Sequence, residues 1–529
     1  MVRPYRMGIS IAAFVCLIDS VLWFYAKSPR SRLNIMQVIF VVFFAIVIAA
    51  LARVRKKSDS EFQTSNESIW IPCLAILAGV LVWTTMLTNY FINDDFGLLY
   101  MSRTPLPQLM WSLFRHGDGT FYRPLSFSSF AWDHAVWGDL PVGYHLTNLL
   151  LHIGSLAGLF VMLRQLGIRR HTSALTVGIF AAMPAIVEPV AWMSGRFDVM
   201  TTTLAVWTIA SYLWSLSRNN VIGFVIGDVL YILAIFTKET GFVIPLLLIA
   251  VDFIIFRRRP NWRIGGLLAT GGLAFLYRIV AIGGIGGYHN GGGSAAADFT
   301  WGTVYGVFLR SPSQMLFGLN WMQPSGFLVT TLAAVMAAVT LLIAIYAVLE
   351  VEQGRIIALG MFWIVIAMLP AHFLSLIGPG LTNSRILCLP TVGMAIVLGQ
   401  LLGSIRNPRF QMSLFVLFVV VLNLGVLHNL AAWRWTSRLG RDTVQQIVKA
   451  APAPPPGAQF VVSDMPETVR GVLFLEACLT ESLKLAYGRD DISAVRDLKS
   501  VAPDEAAAPP PRIFLIWKGE PGELIRRQE

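Results

Sequence analysis

Two adjacent carboxylates, Asp94 and Asp95, stand where a long apolar run stops. The preceding residues, 69–92, are numerous enough to cross a bilayer at about 1.5 Å per residue, so the pair falls at or just beyond a membrane surface. A carboxylate in such a place can take a proton from a hydroxyl group. Because neighbouring side chains point apart in a helix or a strand, only one of the two can act as the base. The sequence leaves open which one acts, and a solvated helix end is the structural alternative.

Charged and polar residues recur downstream at the turns between apolar runs. The candidate cations for binding a phosphate are Arg123, Arg196, Lys238 and Arg385, and the candidate supporting residues are Tyr122, His145, Glu188, Asp198 and Glu239. A phosphate leaving group needs fixed positive charge, and arginine can hold it through two parallel hydrogen bonds. With one carboxylate as base, the set matches sugar transfer from a lipid phosphate, and inversion at the anomeric carbon is the simpler outcome. Ordinary ion pairing at solvated turns is the alternative, above all for Arg196 and for Lys238 with Glu239.

Composition excludes an ordinary soluble domain. The 529 residues are 55% hydrophobic and 13% charged, and the mean hydropathy is +0.64. The net charge of +11 comes from short basic clusters between apolar runs, as the positive-inside rule predicts, so no nucleic-acid partner is expected. The four cysteines form no disulfide framework. No ligand spacing indicates a metal, although a divalent metal remains possible, and no other cofactor is expected.

The apolar runs predict an all-α polytopic membrane protein with about thirteen transmembrane helices. They cover residues 8–26, 33–52, 70–92, 145–164, 172–190, 198–216, 221–237, 240–256, 264–284, 326–349, 356–376, 387–404 and 411–430. Basic clusters at residues 53–57, 164–170, 257–263 and 406–409 all fall on one side, which should be the cytoplasm. Only the basic turn at residues 27–32 falls on the opposite side. The candidate residues then share the opposite face.

Four domains are expected along the chain. Residues 1–69 form a two-helix extension, 70–435 a catalytic core whose first outer loop is 93–143, 436–458 a proline-rich linker, and 459–529 a small α/β domain outside the cytoplasm. Within the outer loop, residues 106–114 and 125–137 predict two interfacial helices. A glycine-rich stretch at 283–293 suits a linker slightly better than a lid. In the last domain we predict strands at 459–463, 492–495 and 512–517 and a helix at 467–487.

Several short motifs follow one another along the chain in a fixed order. These are the Asp94-Asp95 pair, Phe121-Tyr122-Arg123-Pro124-Leu125-Ser126, Gly143 to His152, Glu188 to Asp198, Thr237-Lys238-Glu239-Thr240 and Ser384-Arg385-Ile386-Leu387-Cys388-Leu389-Pro390. Over residues 70–435 the chain resembles the GT-C superfamily of polyprenyl-phosphate-sugar glycosyltransferases, most closely the transmembrane O-mannosyltransferases with tetratricopeptide repeats. It departs from them in lacking an acid just before Arg385 and in lacking the repeats, so their protein acceptors do not carry over.

The resemblance implies an inverting transferase in a membrane, with its site on the periplasmic or lumenal side. It places the base at Asp94 or Asp95 and puts Arg123, Arg196, Lys238 and Arg385 near the donor phosphate. The expected partners are a polyprenyl-phosphate sugar, membrane lipid and a periplasmic acceptor, which could be protein, glycan or lipid. We expect a bacterial inner membrane, with the C-terminal domain facing the periplasm. The alternative is a transporter or flippase of a lipid-linked or anionic substrate, but its charges should lie near the bilayer midplane in broken helices.

Overall fold

Helices dominate the computed structural model of the protein. The structure describes residues 69–284, 286–287, 289–290, 293–294, 301–320, 335, 338–339, 342–349, 354–374, 377, 380–496, 511–519 and 522–526. The helices are α1 (Trp70–Trp83), α2 (Asp95–Met101), α3 (Leu106–His116), α4 (Pro124–Trp137), α5 (Pro141–Gln165), α6 (Arg170–Ala181), α7 (Val187–Ala191), α8 (Arg196–Ser217), α9 (Val221–Thr237), α10 (Ile244–Ile254), α11 (Trp262–Ile282), α12 (Trp301–Tyr305), α13 (Ser311–Leu316), α14 (Gly354–Met368), α15 (Cys388–Gly403), α16 (Pro408–Ala450) and α17 (Leu479–Tyr487).

Seven helical segments of the described chain are long and apolar enough to cross a membrane. An eighth span results if the pair Arg170–Ala181 and Pro184–Ala191, bent by 48°, counts as one. The bend falls at Pro184, which has no backbone N–H to continue the helical ladder. The predicted spans at 8–26 and 33–52 lie outside the described residues, as does most of 326–349. The count of thirteen therefore stays a prediction, whereas a mostly helical membrane protein is observed.

The first outer loop is helical where its sequence is amphipathic. Helices α3 and α4 coincide with the two predicted interfacial helices to within a few residues. Each begins with proline at its first or second position, where a missing N–H costs no intrahelical bond. The short helix α2 precedes them and carries the acidic pair at its start.

The last apolar helix is longer than predicted. Helix α16 runs for 43 residues and continues into the expected linker, ending at Ala450 just before the first proline of that linker. The prediction that the linker begins at residue 436 is wrong, because no proline interrupts the helix before Pro452 and its buried face continues to Ile447. The helix thus extends rigidly beyond the bilayer.

The chain after α16 forms a four-stranded sheet and helix α17. The strands of this sheet are β3 (Gln459–Ser463), β6 (Ser493–Val495), β7 (Arg512–Lys518) and β8 (Glu523–Arg526). Two separate hairpins are formed by β4 (Thr468–Val469) with β5 (Val472–Leu473) and, earlier in the chain, by β1 (His289–Asn290) with β2 (Gly293–Ser294). The sheet order is β6-β3-β7-β8, with β3 parallel to both neighbours and β8 antiparallel to β7.

The predicted helix over 467–487 is wrong in its first half. The β4–β5 hairpin occupies that half, and helix α17 begins only at Leu479. Arg470 and Gly471 connect the two strands with φ values of 50° and 77°. Two-residue hairpin turns favour such positive φ angles, so this turn competes successfully with the helix.

Two apolar cores organise the described residues. The larger one packs the transmembrane helices together around Trp83, Trp363 and Phe415. In the second core, Phe96 of α2 and Phe130 of α4 belong to the same buried cluster as Phe460 of β3. The first outer loop and the C-terminal sheet therefore share one core, and the loop that carries the acidic pair is held between that sheet and the membrane helices.

Candidate active site

Residues 184–198, here called the hub segment, lie at the centre of the candidate site. The segment passes from a 3₁₀ turn at Pro184–Ile186 through α7 and a second 3₁₀ turn, Met193–Gly195, into α8. Every residue from 184 to 198 is buried. At Gly195 a Cβ atom would come within 2.5 Å of the Pro189 carbonyl oxygen, so only glycine allows the chain to fold back this closely. Residues of the hub segment contact Asp95, Arg385, Lys238 and Arg123.

Asp95 is the closed member of the acidic pair. Its side chain is fully buried and accepts hydrogen bonds from the backbone N–H of Ser194 (2.9 Å), the Ser194 hydroxyl (2.6 Å) and the backbone N–H of Ile92 (3.0 Å). Burial raises its pKa to about 7, although these hydrogen bonds act to lower it. Asp95 thus ties the start of α2 to the hub segment.

Asp94 is the open member of the pair. Its side chain is half-buried, and the Asn93 side-chain amide donates to it at 3.0 Å. Burial raises the pKa of Asp94, the positive charge of Arg385 lowers it, and the negative charges of Glu476 and Glu188 raise it further. Asp94 therefore lies near charged side chains from parts of the chain that are far apart in sequence.

Glu188 and Arg385 form an ion pair beside Asp94. The Arg385 Nη1 atom lies 2.8 Å from the Glu188 carboxylate, which also accepts from the Ser384 hydroxyl at 3.1 Å and from the Arg385 backbone N–H at 3.2 Å. The guanidinium group lies 5.3 Å from the ring centroid of Trp192. These contacts fix the loop before α15 against the hub segment while leaving the Arg385 side chain partly exposed.

Lys238 pairs with Asp198 at the start of α8. The Lys238 Nζ atom donates to both oxygens of Asp198, at 2.6 and 2.7 Å, and both side chains are nearly buried. The pair joins the turn after α9 to the end of the hub segment.

Arg123 and Glu239 form the adjacent cluster with a third member, Arg278. Arg123 donates to Glu239 at 2.7 Å through Nη2, and Arg278 donates to it at 2.7 Å through Nη1. Burial acts to raise the pKa of Glu239, but the two arginines hold it down, to about 2. In this cluster two guanidinium groups share the Glu239 carboxylate. Arg123 also lies 5.4 Å from the ring centroid of Phe197, which brings it to the hub segment.

Arg196 lies in the interior of the protein. Its side chain is fully buried and forms an ion pair with Asp133 of α4. It also donates to the Asn148 side chain at 2.8 Å and to the Tyr144 carbonyl at 3.0 Å. This geometry disagrees with the prediction that Arg196 binds the donor phosphate, because its hydrogen-bonding groups are used inside the protein. A role in fixing α4 and α5 against α8 fits it better.

Tyr122 and His145 also lie inside the protein. The Tyr122 hydroxyl donates to the Phe114 carbonyl at 2.8 Å, which joins α3 to the start of α4. His145 is buried in the first turns of α5. Both residues support the helices that carry the site.

The structure thus gathers most of the predicted residues around one segment. Sequence reasoning missed four contributors: Asp133, Ser194, Arg278 and Asn93. Asp133 lies in a helix rich in aromatic residues, and Arg278 lies inside an apolar run. Because buried charges are rarely left unpaired, the sequence did contain a signal for these two residues. No local signal marks Ser194 or Asn93. Among the described residues no group of three or more His, Cys, Asp or Glu side chains could hold a metal ion.

No family model matches the chain. Over 147 residues it is 29% identical to the protein O-mannosyltransferase TMTC2 of Homo sapiens, covering 26% of this chain and 18% of that protein. Over 197 residues it is 26% identical to the protein O-mannosyltransferase Tmtc1 of Drosophila melanogaster, covering 35% of this chain and 23% of the relative. The names of these relatives confirm the resemblance predicted from the motifs, but the matches span less than a quarter of each relative's length.

Three solved structures, of two different proteins, are similar in outline. Crystal structures of ArnT from Cupriavidus metallidurans, apo and bound to undecaprenyl phosphate, give TM-scores of 0.47 and 0.46 at 12% and 13% identity, over 84% of this chain and 92% of that one. The oligosaccharyltransferase of Archaeoglobus fulgidus gives 0.40 at 9% identity, over 81% and 64% of the two chains. At these scores the likeness carries no conclusion about activity.

Proposed function

We propose that the protein is an inverting glycosyltransferase that moves a sugar from a polyprenyl-phosphate donor to a hydroxyl acceptor, with Asp94 as the general base. The observation that carries the proposal is the division within the acidic pair. Asp95 uses its carboxylate to hold the hub segment, whereas Asp94 is half-buried beside the Glu188–Arg385 ion pair. A base needs access to its substrate and a fixed position, and Asp94 has both.

The proposed reaction is a single displacement. The acceptor oxygen forms a bond to the anomeric carbon while the bond from that carbon to the phosphate oxygen breaks. The bonding electron pair leaves with the polyprenyl phosphate, whose charge changes from −1 to −2, and the acceptor proton passes to Asp94. One carboxylate suffices for this balance, which is why we propose inversion rather than retention.

The cations would act on the charge that develops on the leaving phosphate. Arg385 is the first candidate because its guanidinium is partly exposed and its field acts on Asp94. The Arg123–Glu239–Arg278 cluster, which holds two guanidinium groups, is the second. Lys238 is paired by Asp198, so we assign it a smaller part. Such prearranged charges stabilise a developing anion without moving.

The relatives suggest the sugar. Both are named protein O-mannosyltransferases, so we propose mannose. Because this chain lacks the tetratricopeptide pattern, the acceptor is to be sought among protein, glycan and lipid hydroxyls, and a protein hydroxyl is the first to test. We also propose that the site lies on the periplasmic side of a bacterial inner membrane, as the basic clusters predict.

The test is turnover of the purified full-length protein on a polyprenyl-phosphate mannose donor. Asp94→Asn should lower kcat by about 10²- to 10⁴-fold, the usual contribution of a general base. Asp139→Asn is the matched control, since it removes an exposed acid from the same outer loop. Unchanged turnover in Asp94→Asn would refute the assignment of the base. Donor movement across vesicles without sugar transfer by the wild-type protein would favour the transporter alternative.

A further inference from the structure

A groove separate from the candidate active site opens between residues 87–90, which follow α1, the start of α5, and α16. Its lining residues are Leu87, Thr88, Asn89, Tyr90, Pro141, Val142, Arg438 and Arg441, and its volume is about 480 Å³. We call it the arginine groove. It lies just past the end of the span Trp70–Thr88 and at the start of the span Pro141–Gln165. Both of these positions lie at the level where lipid headgroups meet water.

The charged wall of the arginine groove belongs to the part of α16 that leaves the bilayer. Arg434, Arg438 and Arg441 are spaced by four and three residues, so they share one face of the helix. Arg438 and Arg441 are exposed. Arg441 contacts the exposed Asp442 at 3.4 Å, and its guanidinium group lies 5.8 Å from the ring centroid of Tyr90, which also lines the groove. Two arginines side by side can hold a phosphate through several N–H groups at once.

The floor of the groove contains an unsatisfied polar group. Asn89 is 4% exposed, and within the described part of the chain neither its Nδ2 nor its Oδ1 atom has a hydrogen-bond partner. A buried amide without partners is unfavourable, so it marks a place where a polar ligand would add stability. The Nη2 atom of Arg434 donates to the Thr85 carbonyl at 3.0 Å, while its buried Nε atom also lacks a partner among the described residues.

The other sides of the groove are apolar. Pro141, Val142 and Leu87 provide carbon surface next to the arginines. Deeper along the helices that carry the groove, Leu81 of α1 and Leu427 of α16 are exposed, as lipid-facing residues would be. A ligand with a phosphate joined to hydrocarbon tails matches this order of polar and apolar surface, whereas a free phosphate would use only the arginines.

We propose that the arginine groove binds the headgroup of an anionic glycerophospholipid from the surrounding bilayer. The phosphate would contact Arg438 and Arg441, the headgroup hydroxyls would contact Asn89, and the acyl chains would follow the exposed apolar surfaces of α1 and α16. Such a lipid would brace the outer part of α16, and this part carries the C-terminal sheet through the contacts of Gln446 with Gly522 and Leu524. This proposal does not depend on the proposed enzymatic function.

The test measures lipid binding to the purified full-length protein in detergent by native mass spectrometry. The probes are phosphatidylglycerol, phosphatidylcholine and water-soluble glycerol 3-phosphate. We expect Arg438→Gln with Arg441→Gln to weaken phosphatidylglycerol binding by about thirtyfold, because each cation near an anionic headgroup contributes about 1 kcal/mol. Arg438→Lys with Arg441→Lys should weaken it less, since the charge remains and only the paired hydrogen bonds are lost.

The matched control is Lys449→Gln with Lys518→Gln, which removes two exposed positive charges outside the groove. Lys449 is eleven residues beyond Arg438 on α16, about 16 Å along the helix and farther than a Debye length of about 8 Å in physiological salt. This control should keep wild-type lipid affinity, and thermal unfolding should show that all three double variants are folded. Equal loss of phosphatidylglycerol binding in Arg438→Gln with Arg441→Gln and in Lys449→Gln with Lys518→Gln would overturn the proposal. So would equal binding of phosphatidylcholine, equal binding of glycerol 3-phosphate, or a clear preference of the same groove for a polyprenyl monophosphate.

Discussion

At the scale of single residues, Asp94 and Asp95 differ in surroundings rather than in chemistry. The carboxylate of Asp95 accepts three hydrogen bonds inside the protein. The carboxylate of Asp94 accepts one, from the Asn93 side-chain amide, and is only half-buried. Because adjacent side chains point apart, the sequence predicts that only one of the two acts as the base. It cannot choose between them, since the choice depends on Ser194, which is about a hundred residues away.

The pH dependence of catalysis should report on Asp94. A base must be ionised, so kcat/KM should fall as the pH falls through the pKa of Asp94 in the free enzyme. Burial raises that pKa above the ordinary value near 3.9 and the charge of Arg385 lowers it, so Arg385→Gln should move the acid limb of the profile to higher pH. The measurement is kcat/KM against pH with the same mannosyl donor.

Arg385→Lys serves as the control for this prediction, because it keeps a positive charge near Asp94. Its acid limb should stay closer to that of the wild type, even if its rate is lower through loss of the paired hydrogen bonds. An acid limb in Arg385→Gln that stays in place or moves to lower pH would mean that Asp94 and Arg385 are not coupled as described.

At the scale of elements, the C-terminal domain reaches the acidic turn directly. Asn93 has φ 47° and is buried, and its side-chain oxygen accepts the backbone N–H groups of Glu476 at 2.7 Å and Ala477 at 2.9 Å. The same region contacts the loop before Arg385, where the Thr382 hydroxyl donates to the Gly471 carbonyl at 3.0 Å. The segment from Gly471 to Ala477 therefore links the loop of the proposed base to the loop of the proposed phosphate ligand.

Asn93→Ala should test this link. The substitution removes two hydrogen bonds between the acidic turn and the C-terminal domain, so we expect a loss of about 1–3 kcal/mol in the free energy of unfolding. It should also lower kcat, because Asp94 loses the amide that orients it. Thermal unfolding and turnover at saturating donor are the two measurements.

Tyr100→Phe is the comparison for Asn93→Ala. It removes the contact of 2.9 Å between the Tyr100 hydroxyl and Asp490, which also joins α2 to the C-terminal domain but is exposed. Its stability and kcat should remain near the wild-type values. If both substitutions had the same small effect on kcat, the C-terminal domain would have no part in positioning Asp94.

The elements themselves were predictable to different degrees. Strand β3 and helices α3 and α4 follow from local patterns, because amphipathic spacing and β-branched runs act within a few residues. The β4–β5 hairpin and the outer half of α16 were not predicted. Both depend on packing between the C-terminal sheet and the outer loop, and such packing joins residues hundreds of positions apart.

At the scale of the whole molecule, the candidate residues collect at one end of the helical bundle. Asp198 and Lys238 lie at the start of α8 and just after α9, whereas Ser217 lies at the far end of α8. The sequence predicted this grouping from the parity of the spans and the position of its basic clusters. The side of the membrane on which the group lies is still a prediction, since it depends on spans outside the described residues.

Cysteine labelling in intact cells would test that side. In a background without native cysteines, Thr120→Cys in the first outer loop should react with a membrane-impermeant maleimide, because both the loop and this residue are exposed. Ser217→Cys, exposed at the opposite end of α8, should react only after the membrane is permeabilised. The two positions are a matched pair, since each places one thiol at an exposed turn. Labelling of Ser217→Cys alone in intact cells would reverse the orientation and put the candidate site in the cytoplasm. Labelling of both in intact cells would place residues 120 and 217 on the same side of the membrane. That result would contradict a single crossing by α8, whose 22 residues lead from the candidate site to Ser217.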